Sequence, residues 1–443
     1  CLADDMGLGK TLQAIAVLVR SRELKKQAGL EAPTSLVVVP ASLLHNWANE
    51  CRRFAPFLKV LSHIGNQRNR QLSNFSYYDV VLSTYHTVRQ DSEALSTFRF
   101  HYVILDESQM IKNPSSKIYH SMLELQSEHR LVLTGTPIEN SLTDLWSQIN
   151  FVNPGLLGTL NFFKRSFVQA IEKKKDEERE EQLKELINPF ILRRTKAEVA
   201  RELPPVFEQL RYVDMTDSQK RVYEEEKSLA RNSILENLEE ARADQTSLMV
   251  LQALTRLRQI ANHPALIEDY AEVDSGKFNE VGRDISSVVA EGHKVLVFSS
   301  FVKHLDLFRS HLEDLGIGYA YLTGSSNHRQ RKEAVDKFQN DPRCSLFLIS
   351  LKAGGVGLNL TAADYVFILD PWWNPASEMQ ALSRAHRIGQ ENRVFVYRFI
   401  SNGTIEEKIQ SLQEKKKELA ETFVNSNNPL KSLSEKELME LFA

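Results

Sequence analysis

The sequence predicts an α/β protein with two parallel-sheet lobes, helical insertions between them and a closing helix. Three observations carry this. Short β-branched apolar runs recur along the chain, they are continuous rather than alternating, and helical patterns separate them. A continuous apolar run reads as a strand covered on both faces, as in a parallel sheet. Helices between such runs are the usual connection of parallel strands. At 443 residues the chain also exceeds what a single core usually organises.

In order, the first lobe has candidate strands at 35–40 (SLVVVP), 78–85 (YDVVLSTY), 101–107 (HYVILDE) and 130–136 (RLVLTGT). The stretch 140–275 reads as helical and heavily charged, with EKKKDEEREEQLKELI at 172–187 and YEEEKSLARNSILENLEEARA at 223–243. Both signs are present, which marks solvated helix faces. Leu251, Leu254, Leu257 and Ile260 recur at three-residue steps on one helix face. The second lobe has candidate strands at 294–300, 317–324, 344–350, 365–370 and 393–400, and a last amphipathic helix at 404–423. The expected domains are 1–155, 156–280 and 281–443.

Composition narrows the classes. The net charge is −3, which argues against a uniformly basic nucleic-acid coat but leaves room for a basic groove. Cys1, Cys51 and Cys344 are far apart, so neither a disulfide framework nor a zinc site is expected. No apolar run approaches a membrane span. The chain begins with Cys rather than Met, so the expectation is a piece of a longer protein.

Three stretches carry chemistry. In MGLGKT, the backbone N–H groups of a Gly-rich turn can bind phosphate oxygens, with Gly7 and Gly9 allowing close approach. Lys10 would meet the β- and γ-phosphates, and Thr11 would offer a hydroxyl to Mg²⁺. A helix starting near Lys10 would aim its positive end at the same place. Asp4 stands where the general phosphate-loop pattern has its first Gly. VILDES is an apolar strand ending in Asp106 and Glu107, at the end of a strand where open α/β sheets bind ligands. Asp106 would hold Mg²⁺, and Glu107 would orient or deprotonate water. In QALSRAHRIGQ (380–390), Arg384 and Arg387 are three apart and on a helix would share a face, able to stabilise a transferring γ-phosphate.

Together these stretches resemble the Swi/Snf-type ATPases, helicase-like proteins with two RecA-like lobes. The resemblance runs in order through DDMGLGKT, VVVPASLLHNW (37–47), STYHTV (83–88), DESQMIKN (106–113), LTGTPIEN (133–140) and PFILRRTK (189–196). It continues through LVFSSF (296–301), LISLKAGGVGLNLTAADYVFILDPWWNP (348–375) and SRAHRIGQ (383–390). The family's nucleotide loop has an acid at the position of Asp4, so its missing Gly is part of the resemblance. It implies DNA-stimulated ATP hydrolysis between the lobes and movement along duplex DNA. It further implies that Asp4, Met6, Gly7, Leu8, Gly9, Lys10 and Thr11 bind ATP and Mg²⁺, that Asp106 and Glu107 serve metal and water, and that Arg384 and Arg387 act from the second lobe with Gly357 and Gln390 nearby. The implied duplex grips are Asn46, Trp47, Thr84, Tyr85, Lys112 and Asn113, then Ser299, Phe301, Ser350, Lys352 and Gly354, with Trp372 near the cleft. Backbone amides, hydroxyls and a few cations would read phosphates without reading sequence. Phe301 and Trp372 equally suit core or hinge packing. Thr134, Gly135 and Thr136 would couple nucleotide to grip.

Three departures stand out: Gln109 where many relatives have His, Ser383 where Asp is usual, and no upstream segment carrying an adenine-contacting Gln. The resemblance leaves the cargo open among nucleosomes, repair complexes, RNA polymerase and other DNA-bound proteins. The compact insertions resemble those of bacterial members, which would place the protein in the cytoplasm near the nucleoid; a eukaryotic member would be nuclear. A strand-separating DNA or RNA helicase and a catalytically silent scaffold are the competing readings. Intact Lys10, Asp106, Glu107 and Arg387 argue against the scaffold.

Overall fold

The computed structural model describes residues 1–30, 33–41, 43–65, 68, 72–135, 141–200, 202–239, 243–354, 358–372 and 375–411. Among these the chain divides into two compact units, 1–202 and 203–411.

The first unit is built on a five-stranded sheet in the order β2-β3-β1-β4-β5, parallel throughout. Its strands are β1 (Ser35–Val39), β2 (Val60–Ser62), β3 (Val80–Thr84), β4 (Arg99–Asp106) and β5 (Gln126–Leu133). All five residues of β1 are buried, as a strand covered on both faces requires. The sheet continues past β5. Leu2 makes parallel bridges to Leu133 and Leu192, and its N–H donates to Val132 O at 2.8 Å. The first residues thus act as a short strand feeding the glycine-rich turn. The β2 strand was not expected; it is three residues long and only partly buried, so it carries no apolar run. LTGT leaves the sheet at Leu133.

The second unit has a six-stranded parallel sheet in the order β6-β11-β10-β7-β9-β8. Its strands are β6 (Val206–Val213), β7 (Val295–Ser299), β8 (Gly318–Leu322), β9 (Cys344–Ser350), β10 (Tyr365–Ile368) and β11 (Val394–Ser401). β6 falls inside the stretch expected to be helical. It is an edge strand with three consecutive exposed residues (Phe207, Glu208 and Gln209), which hides it from a search for continuous apolar runs. Helices Asp217–Glu239 and Ala243–Asn262 pack a separate core with Ile405 and Ile409. In the second of them Leu254, Leu257 and Ile260 are buried but Leu251 is 39% exposed. Three-residue steps drift around a 3.6-residue helix, and Val250 takes the inward place instead. Residues 405–411 are helical; the rest of the expected closing helix lies outside the described residues. Among the described residues no helix is long and apolar enough to cross a membrane.

Candidate functional site

The stretches VVVPASLLHNW, STYHTV, DESQMIKN and LTGTPIEN run off the C-terminal ends of β1, β3, β4 and β5, where parallel sheets bind ligands. The turn at 6–9 uses left-handed backbone at Gly7 (φ 88°) and Gly9 (φ 74°), and Gly9 starts helix Lys10–Gln27. Neither conformation suits a residue with a Cβ, and the space beside Gly9 is open for 4 Å around an added Cβ. Lys10 Nζ donates to Asp4 O at 2.7 Å and Asp5 O at 3.2 Å. Burial pulls its ammonium down, and Glu107, Asp106, Asp4 and Asp5 oppose this.

Asp106 ends β4 and Glu107 follows it directly. Asp106 is buried; Trp47 Nε1 donates to its Oδ2 at 2.7 Å and the Glu107 N–H to its Oδ1 at 2.9 Å. Burial first, and the Glu107 charge second, push Asp106 up to about 7. Glu107 is held in left-handed backbone (φ 50°), strain of a kind that clusters at functional sites. Gln109 Nε2 donates to Glu107 at 2.8 Å, while its Oε1 accepts from Thr134 Oγ1 at 3.3 Å. The amide therefore ties the acidic turn to the LTG turn. Gly135 closes on the glycine-rich turn: a Cβ there would lie 2.5 Å from Met6 Cγ.

Several expected contacts turn out to be supports. Asp4 is fully buried and its carboxylate is already in use. Arg194 donates to it through N (3.0 Å), Nε (3.1 Å) and Nη2 (2.6 Å), and Gln13 Nε2 adds a bond at 3.2 Å. Asp4 thus anchors the turn to segment 189–196 instead of facing a nucleotide, and Lys196 N–H likewise donates to Asp5 at 3.0 Å. Trp47 and Tyr85 are buried, so neither is a surface grip; Tyr85 Oη donates to Asp106 O at 2.7 Å. Asn46 donates to Glu50, Thr84 caps helix Tyr85–Gln90, Lys112 is half-buried and Asn113 is exposed. Thr11 is half-buried at the first turn of its helix, and Leu8 is buried. Thr136 lies outside the described residues.

In the second unit, helix Pro375–Leu382 ends before the arginines, so Arg384 and Arg387 occupy turns and do not share a helix face. Arg384 is buried, its backbone O accepting from Leu360 N, while Arg387 Nη1 donates to Leu358 O at 3.4 Å. Gln390 is buried with its Nε2 shared among Thr361 O, Ala363 O and Ala385 O, so it staples this loop and has no donor left for a nucleotide. Ser383 Oγ donates to Gln380 O. Ser299 and Ser350 are buried, which removes both as surface grips; Ser299 Oγ donates to Asp370, and Ser350 Oγ has no partner among the described residues. Phe301 and Trp372 are half-buried, Lys352 is exposed, and Gly354 ends the short helix Leu351–Gly354. Gly357 lies outside the described residues.

An open cavity of about 620 Å³ lies elsewhere, at the N-terminal ends of β4 and β5, lined in part by His101, Tyr102 and His129. Although His101, Glu128 and His129 are clustered there, both His101 nitrogens are already engaged, by Glu128 and Ser21. Ser21, His101 and Glu128 thus form a hydrogen-bonded chain, and the His129 ring packs edge-on against that of His101.

The family model of the SNF2-related domain matches residues 1–266. The chain belongs to the SNF2-related family. The model of the helicase conserved C-terminal domain matches residues 277–389. Relatives include YwqA of Bacillus subtilis (strain 168), 40% identical over 453 residues, all of this chain and 48% of that protein. The TATA-binding protein-associated factor MOT1 of Saccharomyces cerevisiae is 34% identical over 512 residues, again all of this chain but 27% of that protein. The chain thus spans about half the length of these relatives or less. A solved Sulfolobus solfataricus SWI2/SNF2 ATPase core in complex with dsDNA is 37% identical, covering 100% of this chain and 92% of that one, with a TM-score of 0.47. The SNF2-related assignment agrees with the order of motifs in the sequence.

Arg194, Gln13 and Asp370 are supports whose role the sequence pattern does not reveal. Arg194 lies inside PFILRRTK, where two adjacent arginines before a Thr-Lys pair were a visible signal without a visible partner.

Proposed function

We propose that this chain is the motor core of an ATP-dependent translocase on double-stranded DNA, hydrolysing ATP to move along the duplex and displace or remodel bound proteins. The observation that carries the reading is the convergence of Lys10, Asp106, Glu107 and the Gln109–Thr134 link at one end of one parallel sheet, in a chain of the SNF2-related family.

The residues suit Mg²⁺-ATP. Two adjacent carboxylates, one buried and with its carboxyl pushed up, are relieved by a divalent cation. Thr11 and Asp106 would hold Mg²⁺, which supplies charge neutralisation at the phosphates. Lys10 would exchange the Asp4 and Asp5 carbonyls for phosphate oxygens. Glu107 would orient water, held by Gln109. Gly7, Gly9 and the helix start would offer N–H donors. Arg384 and Arg387 take the role of stabilising charge on the transferring γ-phosphate, by family pattern. Duplex contact falls to the residues that remain accessible, Asn46, Thr84, Lys112, Asn113 and Lys352, together with the Phe301 and Trp372 loops and the Gly354 backbone. Such contacts bind phosphate with little sequence preference. The cargo is a DNA-bound protein, RNA polymerase being one candidate, and the site of action is the nucleoid in a bacterium or the nucleus in a eukaryote.

The test is ATP turnover by the full-length protein with and without duplex DNA. Strong stimulation is expected, abolished by Lys10→Ala and by Arg387→Ala, the latter still binding ATP. Displacement of a triplex strand without unwinding of a simple duplex separates translocation from strand separation. A folded enzyme that duplex leaves unstimulated would sink the reading.

A further inference from the structure

Helix Ala243–Asn262 sends one buried cation, Arg258, under the loops that follow β7 and β10. Its Nη2 donates to Asp370 Oδ2 at 3.1 Å, Pro371 O at 3.0 Å and Ser300 Oγ at 3.2 Å. The guanidinium carbon lies 5.1 Å from the Phe301 ring centroid and 5.3 Å from that of Trp372. Asp370, itself fully buried, collects Ser299 Oγ at 2.6 Å, Ser300 N at 3.1 Å and the Ser300 hydroxyl. Ser299 Oγ in turn accepts from Phe301 N at 3.1 Å. One arginine is therefore the shared neighbour of residues 299–301 and 370–372.

This is an odd way to fill a core. Arg258 Nε is buried with no partner among the described residues. An apolar side chain of similar length would fill the volume without an orphan donor or a desolvated charge. What an apolar chain cannot supply is a planar cation bonded to a carboxylate and lying against two rings at fixed distance. Those rings are the half-buried Phe301 and Trp372, while Ser299 and Asp370 are too deep to meet a ligand.

We propose that Arg258 is a positioning residue that sets the 299–301 and 370–372 loops in the shape that takes up duplex DNA. This rests on the DNA-motor reading above. Preorganised loops bind with less ordering to be done on contact, so loosening them weakens DNA engagement before it slows chemistry.

The experiment measures ATP turnover against duplex concentration in the full-length protein. Arg258→Lys keeps the charge but loses the plane and fork; Arg258→Met keeps the stem alone; Asp370→Asn removes the carboxylate. The half-saturating duplex concentration should rise about tenfold in Arg258→Lys, the size of one charged hydrogen bond, and further in Arg258→Met. Turnover at saturating duplex and turnover without DNA should stay within about twofold. Unchanged half-saturation in folded Arg258→Lys and Asp370→Asn overturns the proposal, as does an equal fall with and without DNA, which would mark general scaffolding. If Arg258→Met does not fold, the other two variants decide. Lack of stimulation in the wild type is read separately, and removes the motor reading and this proposal together.

Discussion

Trp47→Phe tests the reassignment of Trp47 from DNA grip to support of Asp106. Among the described residues the indole N–H is the one side-chain donor on Oδ2, at 2.7 Å, and its bond holds the Asp106 carboxyl down against burial and the Glu107 charge. A hydrogen bond to a charged acceptor contributes about 1.5–3 kcal/mol. At 1.36 kcal/mol per pKa unit, its loss raises the carboxyl by about one to two units. Asp106 already stands at about 7, so the variant should hold a proton at neutral pH, when it should be binding a cation. The assay is the pH profile of kcat/KM for ATP at fixed, low Mg²⁺. The acid limb should move to higher pH by about one to two units, with activity recovering in alkali. Raising Mg²⁺ should move the limb back down, because cation binding and proton loss are linked. An unmoved limb refutes the reasoning. So does a rise in half-saturating duplex with an unchanged pH profile, the result a surface grip would give.

Arg194→Ala leaves Asp4 buried beside the glycine-rich turn without its main partner; KM for ATP should rise more than kcat falls. In the wild type the bonds and charge of Arg194, with Gln13, outweigh burial and hold the Asp4 carboxyl low. Its stabilising contribution is therefore present above the ordinary carboxylate range and lost as pH falls through the lowered value, so Arg194→Ala should flatten the acid limb of the melting temperature. Gln109→Ala cuts the link from Glu107 to Thr134, and DNA-stimulated turnover should fall severalfold while nucleotide binding, followed by a fluorescent analogue, is kept. Lys277 and Glu406 form a fully buried pair in the second unit. Lys277→Met alone should lose about 3–5 kcal/mol in urea titration, and Lys277→Met with Glu406→Gln should regain part of it.

The sheets were legible because strands of a parallel sheet write continuous apolar runs over their buried part, as at Val132 and Leu133 of the otherwise wetter β5, and all but β2 and β6 carry such a run. β6 was missed for the opposite reason: an edge strand with one wet face looks polar. At the site, residue types that carry chemistry could be named from spacing alone, and Lys10, Asp106 and Glu107 do share one neighbourhood. What spacing cannot tell is whether a polar side chain faces out or in. Trp47, Tyr85, Ser299 and Gln390 all sit in site motifs, yet each spends its hydrogen bonds inward. The Arg384–Arg387 spacing suggested a helix because spacing carries no information about where a helix ends.

Asp4 shows what identity without geometry leaves out. The sequence makes it a family mark, since a Gly is expected there in other phosphate loops. The structure gives the physical reason an acid suits the place. The backbone before the turn is pinned on one side by the bridge from Leu2 to Leu133, and on the other by Leu192 and the Arg194 fork. A glycine at position 4 could shape the turn but could not hold segment 189–196 against it. With Asp4, the carbonyls that Lys10 now contacts are fixed by a residue 190 positions away in the chain. The glycine-rich turn is therefore not a local motif in this protein. Its shape depends on the last segment of the first unit, and any perturbation of residues 189–196 should appear first as a change in ATP affinity.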